Sequence, residues 1–150
     1  MKFAEFRVGQ VLEAGSYRLD EAAIIEYATR FDPQPFHTDR EAAEDSQWGG
    51  IIASGFHTCA IAMRLIADSI LHGSGSCGSP GLEYVKWPAP VYGGDTLRLQ
   101  VHVLEVRNSK SGAYGVARWR WQLFNQRDVV VLELVATSLF QAFDTASRNA

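Results

Sequence analysis

A chain of 150 residues, 47% of them hydrophobic and 21% charged, suits one folded domain that can bury a continuous core without metals or disulfides. Its formal net charge of −3, from acids and bases mixed along the chain, argues against a binder of nucleic acid, which would be clearly basic. No run of roughly 18 apolar residues is present, so no membrane-spanning helix is expected.

The opening MKFAEFRVGQ lacks the apolar stretch of a secretory signal. The two cysteines, Cys59 and Cys77, form no Cys-x-x-Cys pair. His57 and His72 complete no metal-ligand spacing with them. Two free thiols in a reducing cytoplasm are therefore expected.

In chain order, residues 3–19 read as a short extended lead-in with turns at Gly9 and Gly15. Asp20 is a predicted N-cap, with Glu21 in the first turn, where the helix dipole favours negative charge. Ile24, Tyr27, Ala28 and Phe31 then follow at i, i+3, i+4 and i+7, the stripe of an amphipathic helix. That helix must stop near Asp32, because Pro33 follows and the residue before a proline avoids the α region.

Residues 32–54 read as irregular, with a short helix from Asp39 to about Asp45. Ile51 to Leu71 is the longest apolar region and predicts a helix buried on most sides. Its few polar groups, His57, Arg64 and Asp68, fall along one stripe, and His57 is expected there in a structural role. Gly73 is a natural C-cap for this helix.

From Gly81 the period changes to two. Residues 82–91 predict a strand whose Pro88 and Pro90 make its end an edge or a bulge. Leu97, Leu99, Val101 and Val103 alternate with polar residues, and the phase slips at Leu104, as a bulge would cause. Asn108 to Gly112 predicts a hairpin loop, and Asn125 to Asp128 another turn. Between them Ala117, Trp119, Trp121 and Leu123 alternate with Arg118, Arg120 and Gln122. Val129 to Ala142 reads as a long central strand. Trp87, Trp119 and Trp121 are expected in the core or at an interface. One long apolar helix followed by an antiparallel meander is an α+β layout, in which the sheet wraps around the helix.

The segment that carries chemistry is Asp32-Pro33-Gln34-Pro35-Phe36-His37. The prolines restrict the backbone and remove two amide donors. A stiff loop that fixes two side chains costs little entropy when substrate binds. A carboxylate and an imidazole sharing one water make an acid–base couple near neutral pH. The alternative is that Asp32 merely ends the helix and His37 caps or packs nearby.

This segment resembles the Asp-x-Asn-Pro-x-His motif of MaoC-like and (R)-specific enoyl-CoA hydratases, with Gln34 in place of the Asn. The resemblance continues through Gly49-Gly50-Ile51-Ile52-Ala53-Ser54-Gly55 and through Lys86-Trp87-Pro88-Ala89-Pro90-Val91-Tyr92-Gly93-Gly94-Asp95. Together these elements cover nearly the whole chain in matching order. Ser54 stands where many relatives carry a histidine.

The resemblance implies a hotdog fold. It also implies syn addition of water to a trans-2-enoyl thioester, or the reverse. Asp32 and His37 would hold the water, and the Gly55 N–H at the helix start would receive the charge on the thioester oxygen. Gly55 has no Cβ to keep the thioester away. Gln34, Ser54 and Phe56 are the expected substrate-binding residues.

No cofactor is implied beyond the acyl-CoA substrate. A homodimer or dimer of dimers is implied as the assembly. A thioesterase and a non-catalytic acyl-thioester binding module remain alternatives, because one fold hosts several functions. A hotdog thioesterase usually carries its acid on the long helix, which here offers only Asp68, near its far end.

Overall fold

The structure is a computed structural model that describes residues 1–141. Strands β1 (Val11–Arg18), β2 (Ser76–Lys86), β3 (Thr96–Asn108), β4 (Tyr114–Phe124) and β5 (Val130–Gln141) form one antiparallel sheet. Their order is β1-β3-β4-β5-β2. Helices α1 (Glu21–Phe31), α2 (Pro35–Thr38), α3 (Arg40–Asp45) and α4 (Gly55–Ile66) fall between β1 and β2 in sequence. A single π-helical turn, Ala67–Leu71, continues α4.

The period-two pattern puts Leu97, Leu99, Val101, Trp119, Trp121 and Leu134 on one face of the sheet, all buried. Ile61, Ala62, Leu65 and Ile66 of α4 join the same core. Each such aliphatic side chain stabilises the fold by about 1.5–3 kcal/mol through burial. The sheet therefore wraps around α4, and the fold is the α+β hotdog arrangement.

Local signals explain most element ends. Asp20 caps α1 by accepting from Ala23 N–H at 2.8 Å, and Asp39 caps α3 by accepting from Ala42 N–H at 3.0 Å. Gly73 takes a φ of +66° just past the π turn, a conformation costly for residues with a Cβ. The phase slip at Leu104 is a register shift between Val103 and Glu105 against β4. β5 is internal, flanked by β4 and β2; Ala142, the expected end of that strand, lies outside the described residues.

Several expectations need correction. Gly15 is no turn: it sits at a register shift inside β1, between Glu13 and Ser16, with a φ of +86°. The start of α4 at Gly55 is as expected, with Ile51 to Ser54 leading into it. The α1 stripe is only half covered, since Ile24 and Ala28 are fully buried while Phe31 is 64% exposed.

The strand expected at 82–91 is Ser76–Lys86 instead. Its glycines and Pro80 look like loop. The ladder with β5, however, runs from Ser76 opposite Phe140 to Lys86 opposite Glu133, with register shifts absorbing the misfits. Backbone pairing with a long neighbour overrides local propensity here. Trp87 to Val91 is then left free to turn toward the start of α4.

Candidate active site

The site is built from α2 upward. Pro35 occupies the first turn of α2, where a missing N–H costs nothing and a fixed φ suits the helix. This one-turn helix was hidden by the two prolines, and it points His37 inward. His37 is 4% exposed, and its Nδ1 lies 2.6 Å from the carbonyl oxygen of Ile52. A carbonyl can only accept, so Nδ1 carries the hydrogen and Nε2 is the free nitrogen. Nε2 lies 3.3 Å from Asp32 Oδ2.

Asp32 is the C-cap of α1. Its Oδ1 accepts from the Gln34 side-chain amide at 2.7 Å. Burial pushes the Asp32 carboxyl up, but the Gln34 amide, the Ser54 hydroxyl and the His37 ring outweigh it and hold the carboxyl below its ordinary value. The pair is thus a carboxylate beside a ring nitrogen whose partner nitrogen is already committed.

Gly55 opens α4, and as its first residue its N–H has no partner within the helix. A cleft of about 370 Å³ is walled by Asp32, His37, Gly55, Phe56 and Trp87, among others. Trp87 is bound to Gly55 directly: its indole N–H donates to the Gly55 carbonyl at 2.9 Å. The indole packs so tightly that a Cβ on Gly55 would lie 2.5 Å from Trp87 Cε2. The acid–histidine pair, a helix N-terminus and an aromatic wall therefore share one cleft. Such a cleft can hold a water and place an oxyanion at oriented backbone amides.

Residues 3–120 match the family described as MaoC like domain. The chain belongs to the MaoC-like dehydratase family. It is 33% identical over 133 residues to the uncharacterized protein YdeM of Bacillus subtilis (strain 168), covering 89% of this chain and 94% of YdeM. Its fold is similar to the MaoC-like dehydratase from Rhodospirillum rubrum, with a TM-score of 0.88, 36% identity and coverage of 96% of this chain and 99% of that one. It is also similar to the R-hydratase PhaJ1 from Pseudomonas aeruginosa, with a TM-score of 0.77, 26% identity and coverage of 95% and 86%. These relations support a hydratase activity in general terms.

Within this MaoC-like chain, Asp32, His37 and Gly55 come together on one cleft. Gln34 also lines the cleft and braces Asp32. Phe56 is 69% exposed and lines both the cleft and a neighbouring apolar groove of about 470 Å³. Ser54 is fully buried and does not line the cleft. His57 is stacked on Tyr27, with ring centroids 4.4 Å apart.

Trp119 and Trp121 are core residues, as expected. Trp87 is not: it is 45% exposed and walls the MaoC-like cleft. The sequence carried one signal for it, its place at the end of a strand just before Pro88. The contact with Gly55 depends on where β2 stops.

Proposed function

We propose that this MaoC-like chain adds water to a trans-2-enoyl-CoA, or removes it from the 3-hydroxyacyl-CoA. The observation that carries this reading is the 3.3 Å approach of His37 Nε2 to Asp32 Oδ2 on the wall of a cleft shared with Gly55.

A water lodged between two acceptors donates a hydrogen to each, which holds its oxygen toward the substrate. As that oxygen bonds to C3, one member of the pair takes a water proton, and that proton, passed within the pair, is then delivered to C2 on the same face. One O–H bond and the C2–C3 π bond break, and one C–O and one C–H bond form. Delivery of the proton leaves both Asp32 and His37 as they began. Negative charge that builds on the thioester oxygen meets the unpartnered Gly55 N–H. A donor of this kind is commonly worth about 10²–10³-fold in kcat.

The similarity to the Rhodospirillum rubrum MaoC-like dehydratase and the Pseudomonas aeruginosa R-hydratase supports the reaction class. A thioesterase reading is disfavoured, because the acid expected on the long helix is missing from α4. Asp68 lies on the π turn beyond it and is paired with Arg64 at 2.7 Å.

We read the working form as a homodimer in the cytoplasm. β2 has one edge of the sheet to itself. Leu82 on β2 and Phe56 and Met63 on α4 are exposed apolar residues around the same groove. Among the described residues, no helix is long and apolar enough to cross a membrane.

The test is to mix purified protein with crotonyl-CoA. Loss of the enoyl absorbance without release of free thiol is the expected result. Thiol release would indicate a thioesterase, and no reaction at all a binding module.

A further inference from the structure

Two cavities meet at the start of α4. One is the cleft of about 370 Å³ that holds Asp32, His37 and Gly55. The other is the apolar groove of about 470 Å³, bordered by α4, β2 and β5. Phe56 is the one described residue that lines both. It follows Gly55 directly in α4 and is 69% exposed. Its ring meets the Trp87 indole edge to face, with centroids 6.0 Å apart. Removing so exposed a side chain costs the fold little.

The groove suits an apolar occupant. Among the described residues, none that lines it is charged. Two of its hydroxyls are spent on the protein itself. Ser138 Oγ accepts from the Trp119 indole N–H at 3.1 Å, and Ser79 Oγ donates to the Thr137 carbonyl at 2.5 Å. Its floor, at Leu134 and Ala136, is buried, while its rim, at Met63 and Leu82, is about half exposed.

The cleft has less room to spare. In the hydratase reading it must hold the water, the thioester and the end of the carrier. We infer that Phe56 is a specificity-determining residue, its ring partitioning the cleft from the groove, so that an acyl tail too long for the cleft enters the groove only when that ring moves aside. This deepens the hydratase reading and rests on it for the identity of the substrate. The occupant of the groove is the far end of an enoyl chain. A second copy meeting β2 covers the rim above it.

The test compares crotonyl-CoA with trans-2-decenoyl-CoA in wild type, in Phe56→Ala and in the double variant Phe56→Ala with Ala60→Phe. In Phe56→Ala the ratio of kcat/KM, decenoyl over crotonyl, should rise about tenfold, since two newly covered methylenes suffice for that. Ala60 lines the groove and not the cleft, so the new ring in the double variant should refill the groove and cancel most of the rise. An unchanged or lower ratio in Phe56→Ala, or a rise that Ala60→Phe leaves intact, would overturn the partition. Calorimetric titration with the saturated butanoyl-CoA and decanoyl-CoA makes the same comparison without turnover. If wild type hydrates no enoyl thioester while the affinity ratio shifts as expected, the proposed reaction fails and the partition stands. If wild type is active and neither ratio shifts, the partition fails and the reaction stands.

Discussion

The Trp87 indole lies across Gly55, donating to its carbonyl at 2.9 Å and filling the space a Cβ would need, 2.5–2.8 Å from the nearest ring atoms. The two residues are coupled, so their variants should not be additive. Gly55→Ala must push the ring aside and break that bond, and both stability and crotonyl-CoA hydration should fall. With Trp87→Ala already present, adding Gly55→Ala should cost clearly less. A double-mutant cycle by urea denaturation and initial rates checks this; equal costs in both backgrounds would mean that the contact does not govern Gly55.

Asp32→Asn and His37→Ala should each reduce kcat by about 10²–10⁴-fold, the usual weight of a positioned proton carrier. Both variants should keep the native circular dichroism spectrum. They should differ in stability. His37→Ala strands the buried Ile52 carbonyl, a loss of roughly 1–3 kcal/mol, whereas Asp32 sits at a helix end with its side chain 22% exposed. Normal turnover in either variant would remove the hydratase reading.

Burial pushes the His57 imidazole below its ordinary value of 6.5, and its Nδ1 is buried without a partner. The folded state therefore prefers the neutral ring, and the unfolded chain takes up the proton first as pH falls. This contribution to stability is complete above 6.5 and is lost as pH drops through the lower folded value. His57→Phe keeps a ring on Tyr27 and removes the titration. Its stability should vary less than wild type between about pH 5 and pH 7, measured by urea denaturation across that range.

If two copies pair through the β2 edge and the adjoining groove, Leu82→Glu puts a charge where Leu82, half exposed in the single chain, would be covered. Wild type should scatter light as a dimer at micromolar concentration, and Leu82→Glu as a monomer. A monomeric wild type would refute the pairing.

The sequence made Asp32 and His37 legible because only four residues, two of them prolines, lie between them. Gly55 was legible because it opens an apolar helical run after small residues. The hotdog layout followed from one such helix and clean alternation from Leu97 onward. What it hid depends on distant pairing. Ser76 to Gly81 read as loop by composition and became strand because β5 supplied the hydrogen bonds. That shift moved the strand end to Lys86, which is why Trp87 was expected in the core or at an interface and not against Gly55.

The hydrogen bond from His37 to the Ile52 carbonyl has a reciprocal: Ile52 N–H donates to the Phe36 carbonyl at 3.2 Å. Position 52 therefore serves the α2 turn with main-chain atoms alone, while its buried side chain lines the cleft. For protein engineering this makes the acid–histidine loop portable. Transplanting residues 32–37 into another chain of this shape would require a matching extended backbone opposite the turn, not a matching set of side chains. The recipient's own interior packing beneath that backbone could stay as it was.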